Sequence, residues 1–211
     1  MSGLAPRYLV IDGFLGPEAA GALLAQMLAG AGNFTPSLVR RGDRFAENHD
    51  VRSSLRLPGR VGVDLEGFTA AVLARADELR EGVGMPSFEI YHTERSIVAH
   101  GDGDFYRTHI DTRTQPGGGG VDSVRMLSCV YYLNAEPPGF TGGELALHGL
   151  GAPARGAPAA VIAPRHDRLA VFPSFVPHEV LPISCPSGRF EDSRFSVNCW
   201  LHKQRAQPSA E

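Results

Sequence analysis

The stretch Asp104–Thr114, DFYRTHIDTRT, decides how the rest of this chain is read. Phe105 to Asp111 is an apolar and aromatic run that ends in His109 and Asp111, and in a strand residues two apart point to the same side. The pair can therefore reach one ion together. Far downstream, Pro177-His178-Glu179 offers a second imidazole and Arg194-Phe195-Ser196 a fixed cation. Two histidines and a carboxylate on one face of an ion, with open positions opposite, form the donor set of non-haem Fe(II) sites.

A His-x-Asp match alone is weak. Eight histidines and eleven aspartates give about 0.4 chance occurrences in a chain of this length. His100-Gly101-Asp102 is a second match, within a Gly-Asp-Gly-Asp run that reads as a turn, where no common face is guaranteed. For the third ligand, His148, His166 and His202 compete with His178, and a lone histidine is more often a hydrogen-bonded residue than a ligand. His178 follows the buried-strand pattern Leu169–Phe172 and a Pro173–Pro177 link, which suits the mouth of a barrel.

The downstream run Arg194–Leu201, RFSVNCWL, alternates strictly. Arg194, Ser196, Asn198 and Trp200 point one way, and Phe195, Val197, Cys199 and Leu201 the other. An inward arginine needs an anionic partner, because an unpaired buried charge is costly. Either a ligand carboxylate, held by two parallel hydrogen bonds, or a salt bridge to Glu144 or Asp192 satisfies it. Arg189 is a rival anchor, but Ser187-Gly188-Arg189 reads as a turn.

The chain of 211 residues is 43% apolar, enough for a core in one domain spanning 1–211. Residues 1–86 read as a helical support region and 87–203 as the β core. Pro17–Ala29 carries Ala20, Leu23, Leu24, Met27 and Leu28 at helical spacing, ended by Gly30 and Gly32. A second stripe, Phe68, Val72, Ala76 and Leu79, opens at Asp64 and closes at Gly82 and Gly84. Beyond a strand at Tyr8–Ile11, the later pattern predicts strands at Ser96–Ala99, Phe105–Asp111, Val124–Leu133, Glu144–His148, Arg168–Phe172, Val176–Ile183 and Arg194–His202. The expected fold class is mainly β with flanking helices (α+β), a double-stranded β-helix or jelly roll covered by N-terminal helices.

A net charge of −3 without a basic block argues against nucleic acid or a membrane surface as partner. Cys129, Cys185 and Cys199 show no CxxC spacing and read as reduced thiols, which points to the cytoplasm. Leu9–Ile11 is too short for a signal core or a span. The glycine run Gly117–Gly120 reads as a substrate lid or a plain connector, Gly149–Pro158 as a second loop, and the tail from Gln204 as frayed. Oligomeric state is not readable.

In GDGDFYRTHID, CVYYLN, GGEL, DRLAVFPSFVPHEV and RFSVNCWL, in that order, the chain resembles the Fe(II)- and 2-oxoglutarate-dependent dioxygenases, in particular their prolyl 4-hydroxylase-like branch. LVIDGFLGPEAA and VRSSLRL match more loosely. The resemblance covers Ser96 to His202. It implies Fe(II) held by His109, Asp111 and His178, with 2-oxoglutarate as co-substrate and O2 as oxidant, and it admits ascorbate as a reductant. Arg194, assisted by Ser196 and Tyr132, is implied to clamp the distal carboxylate. It further implies hydroxylation of an unactivated C–H bond, on a proline-like residue, an amino acid or a small metabolite, with release of succinate and CO2. The alternative is a metal- and ligand-binding jelly roll without turnover. Asp111 favours hydroxylation, since related halogenases carry a small residue there. Two departures stand out. His100 occupies a position, nine residues before His109, where many relatives have a tyrosine, and the interval from His178 to Arg194, sixteen residues, is longer than usual.

Overall fold

A computed structural model describes residues 4–41, 44–112, 122–151 and 156–205. The Gly117–Gly120 run lies outside the described residues, as do residues 152–155 of the second glycine-rich loop and the last six of the tail.

Alternating sequences become two large antiparallel sheets, beside two small two-stranded ones, Thr141–Gly142 with Ile183–Ser184 and Val39–Arg41 with Arg44–Ala46. The larger runs in the order Leu9–Asp12, Arg168–Pro173, Ser123–Leu133, Arg194–Gln204, His92–His100, Leu55–Arg56 and Thr35–Pro36. The smaller runs Ala160–Ile162, Leu145–Leu147, His178–Val180, Phe105–His109 and Arg52–Ser53. From His92 onward most successive strands cross from one sheet to the other, Leu145–Leu147 and Ala160–Ile162 being a pair that stays in the smaller, and side chains of both sheets fill the space between them. Val130, Tyr132, Ala170 and Phe172 of the larger sheet meet Leu145, Leu147 and Ile162 of the smaller. This is the expected jelly roll.

The opposite face of the larger sheet is covered by helices, because its alternate residues are apolar as well. Phe195, Val197, Cys199 and Leu201 pack there with Ile97, Ala99 and Tyr131 against Ala20, Met27, Phe68, Val72 and Leu79. Phe68 stacks on Tyr131 at 5.2 Å between centroids, so the helical layer is fastened by rings as well as by aliphatic burial. The sheet's polar face is thereby directed inward as a consequence of where its apolar face goes.

Local outcomes differ from expectation in several places, among them the expected strand Val176–Ile183, which is divided into His178–Val180 and Ile183–Ser184. The second helical stripe is buried as predicted, but the helix breaks at Arg75 (φ −107°, ψ 10°) into Glu66–Ala74 and Ala76–Gly82. At the break, Arg75 donates to both oxygens of Glu78 at 2.8 and 2.7 Å and lies over the Phe14 ring at 5.5 Å. The N-cap is Leu65, one residue later than expected, and Asp64 accepts the Glu66 N–H at 2.8 Å from the position before it. The strand from Phe105 ends at His109, short of Asp111. The tail is ordered two residues further than expected, with Gln204 in the last strand and the Arg205 N–H donating to the Asp122 carbonyl at 2.7 Å.

Candidate functional site

His109 and His178 sit on neighbouring strands of the smaller sheet and are direct cross-strand partners. Their ring centroids lie 4.2 Å apart. Each ring is oriented by its Nδ1, 2.9 Å from a carbonyl two residues earlier, Arg107 for His109 and Val176 for His178. An Nδ1–H donated to a carbonyl leaves the Nε2 lone pair free for an ion, the usual arrangement behind a metal-ligating histidine. Both Nε2 atoms face Asp111, His109 at 3.7 Å from Oδ1 and His178 at 3.5 Å from Oδ2.

Asp111 reaches this position by a different route from strand alternation. Past the strand end, the Asp111 and Thr112 N–H groups both donate to the Ser174 carbonyl, at 2.9 and 3.0 Å. The carboxylate is then gripped from the larger sheet. Ser128 Oγ and Trp200 Nε1 donate to its Oδ2 at 2.7 and 2.8 Å. Arg125 stands over the Trp200 ring at 3.8 Å, is neutralised by Glu94 at 2.5 Å and lies 3.9 Å from Asp111 Oδ1. Burial raises the pKa of Asp111, but His178, His109 and Arg125 outweigh it and hold the carboxyl below its usual value. Burial, reinforced by His178, pulls His109 down to about 3. A neutral His109 imidazole beside an ionised Asp111 carboxylate is the protonation pattern a cation requires.

The donor atoms of His109, Asp111 and His178 lie within 4.8 Å of one another. Cis ligands of an ion with bonds of about 2.1 Å stand about 3 Å apart, so small side-chain adjustments close this triad on a metal. Two nitrogens and one oxygen also suit Fe(II) by type. The residues present fit the ion.

A cavity of about 400 Å³ opens from the triad, and Arg194, Ser196, His100, Asn198 and Trp200 line it. Arg194 is 1% exposed. No carboxylate pairs with it among the described residues, and burial pulls its pKa down. Glu144 acts on it only electrostatically, while Asp192 is bound to Arg189 at 2.8 Å in the exposed turn. Asp192 and the rival anchor Arg189 thereby satisfy each other, and Glu144 makes no hydrogen bond or ion pair with Arg194 among the described residues. Arg194 Nη1 lies 3.3 Å from His100 Nδ1. A guanidinium can only donate, so Nδ1 accepts and the His100 proton sits on Nε2. Among the buried polar atoms that lack partners within the described residues, three gather at this site, namely Arg194 Nε, His100 Nε2 and Tyr132 Oη. Tyr132 lies behind the cavity wall, its ring 4.8 Å from the Arg194 guanidinium carbon. Unsatisfied buried donors around a cavity fit a carboxylate-bearing ligand.

The decoy pair separates. Asp102 turns away to accept the Cys185 N–H at 2.7 Å, leaving His100 alone at the cavity. The rival histidines are occupied elsewhere. His148 contacts Glu179 at 2.9 Å, His166 Nδ1 accepts the Asn134 N–H at 3.3 Å, and His202 lies 2.9 Å from Ser123 Oγ. Sequence reasoning overlooked Ser128, Arg125 and Tyr106, whose ring stacks on His109 at 3.7 Å. Arg125 and Ser128, polar residues within the largely apolar strand Ser123–Leu133, were the usable signal.

With this geometry in view, residues 95–202 match the family model of the 2OG-Fe(II) oxygenase superfamily, and the chain belongs to that superfamily. It is similar to an uncharacterized PKHD-type hydroxylase of Synechocystis sp., 27% identical over 202 residues that make up 93% of this chain and 63% of the relative. The chain thus spans less than two thirds of that relative's length. Among solved structures it is similar to a Pseudomonas putida prolyl-4-hydroxylase, at 26% identity and a TM-score of 0.60, with 94% of each chain covered. A Trichoplax adhaerens prolyl hydroxylase, solved with a hypoxia inducible factor peptide fragment, shares the fold at a TM-score of 0.65 and 22% identity, covering 93% of this chain and 83% of the other. Among the described residues no helix is long and apolar enough to cross a membrane.

Proposed function

We propose that the chain is an Fe(II)- and 2-oxoglutarate-dependent dioxygenase that hydroxylates an unactivated C–H bond of a proline-like residue, an amino acid or a small metabolite. The observation that carries this reading is the opening of one cavity onto both the His109–Asp111–His178 triad and the unpaired guanidinium of Arg194. The prolyl hydroxylases among its structural relatives support a proline-like substrate. We place the activity in one domain over 1–211, acting in the cytoplasm without nucleic acid or membrane, a setting that three free buried cysteines favour.

Bound together, Fe(II), 2-oxoglutarate and O2 supply the oxidising power, and succinate and CO2 leave as co-products. The protein's part is to hold and orient. His109 and His178, fixed through Nδ1, present Nε2 to the ion. Asp111 supplies the single negative charge, aimed by Ser128 and Trp200. Arg194 receives the distal carboxylate of 2-oxoglutarate through charge-assisted hydrogen bonds, with Ser196 beside it and the Tyr132 hydroxyl and His100 Nε2–H as neutral donors. His100 thereby takes the place of the tyrosine that many relatives use.

Succinate release from purified protein given Fe(II), 2-oxoglutarate and a panel of prolyl peptides and free amino acids tests the proposal. Asp111→Ala should abolish it, and Arg194→Ala should weaken 2-oxoglutarate binding by about tenfold or more, since a hydrogen bond to a charge is worth about 1.5–3 kcal/mol. Undiminished turnover in Asp111→Ala would refute the metal assignment.

A further inference from the structure

Among the described residues three guanidinium groups line the cavity, and two are accounted for. Arg125 is paired with Glu94, and Arg194 is assigned above to the co-substrate. The third is Arg52, on the edge strand of the smaller sheet and on the cavity wall. Its Nε donates to Ser54 Oγ at 2.8 Å, and Ser54 in turn donates to Ser37 Oγ at 2.9 Å. Its guanidinium carbon lies 4.7 Å from the centroid of the Tyr106 ring, the same ring that stacks on His109. Arg52 is therefore held on two sides, by a serine and by a ring, and neither neutralises it.

No carboxylate pairs with Arg52 among the described residues; the groups that favour its charge are the Tyr106 phenol and then Asp111, whose charge belongs to the triad. Desolvation pulls its pKa down, the sign of a cation set in a poorly hydrated place. A charge count over the loaded cavity isolates it further. The two charges of Fe(II) and that of Arg194 are balanced by Asp111 and the two carboxylates of 2-oxoglutarate, and Arg125 and Glu94 cancel. One positive charge remains, oriented and close to the metal ligands. A floppy surface arginine would be satisfied by water, but a stacked and tethered one is pre-organised for a planar anion.

Resting on the dioxygenase reading above, we propose that the primary substrate carries a carboxylate and that Arg52 receives it, so that the enzyme selects acids over the corresponding amides. Leu38 and Ile110, also on the cavity wall, supply an apolar surface for the rest of the molecule.

The test is calorimetric and anaerobic. Protein loaded with Mn(II) and 2-oxoglutarate is titrated with N-acetyl-L-proline and N-acetyl-L-prolinamide, then with further N-acetyl amino acids and their amides. The expected result is that at least one acid binds about tenfold or more tightly than its amide, the scale of one charge-assisted contact. Arg52→Gln should remove that preference, and Arg52→Lys should keep part of it. The proposal is overturned if no acid in the panel binds better than its amide at millimolar concentration, or if the preference survives in Arg52→Gln. It is also overturned if Arg52→Gln stops binding 2-oxoglutarate, since Arg52 would then belong to the co-substrate's seat. Failure of the wild type to take up Mn(II) and 2-oxoglutarate would instead sink the dioxygenase reading, whereas normal uptake without acid preference would sink only the role of Arg52.

Discussion

At the scale of single residues, the carboxylate of Asp111 depends on donors that are not themselves candidate ligands. Ser128 and Trp200 share one oxygen, and the backbone of Ser174 fixes the turn that carries the side chain. Partners of this kind typically account for about 10–100-fold in metal affinity. Trp200→Phe keeps a ring for Arg125 to lie over and deletes the N–H. Titration of metal-free protein with Co(II) should show weaker binding by about tenfold, with little change in fold by circular dichroism. Equal affinity in the variant would mean that the indole N–H does not aim the carboxylate.

At the scale of elements, the link Gly142-Gly143 before strand Leu145–Leu147 shows how tightly Arg194 is boxed. Gly143 has φ +70°, and a Cβ there would meet Ile183 Cγ1 at 2.6 Å and Arg194 Cδ at 2.9 Å. Gly143→Ala therefore combines backbone strain with a collision against the arginine stem, each worth about 1–3 kcal/mol. Urea unfolding should show a loss of that order, accompanied by weaker 2-oxoglutarate binding, and unchanged values in both measurements would contradict the packing described. The same elements show what could be read in advance. The alternation of Arg194–Leu201 set which side chains face the cavity because an apolar face and a polar face cannot be exchanged without a register slip. The position of Asp111 was not legible in that way. Its convergence on the histidines depends on a hydrogen bond to Ser174, sixty-three residues away in sequence, and no local period encodes such a contact. The break at Arg75 was hidden for a related reason, since the buried stripe continues across it.

At the scale of the molecule, buried neutral histidines make the metal-free protein sensitive to acid. His109 titrates at about 3, and His100 is held well below its ordinary value by burial, then by Arg194 and Arg52. Both protonate more readily in the unfolded chain, near pH 6.5. Between about pH 6.5 and 3 the unfolded state thus binds more protons, and stability falls as the pH falls. Urea midpoints of metal-free protein should drop by an amount equivalent to a few kcal/mol between pH 7.5 and 5, and less so in His100→Asn. A flat profile would show that these imidazoles do not remain neutral in the fold. The triad also has a mechanical aspect. Its two histidines ride on one leaf of the sandwich, while its carboxylate is gripped by Ser128 and Trp200 on the other. An ion seated there acts as a rivet through both leaves, so that the gape of the mouth and the retention of metal become a single degree of freedom.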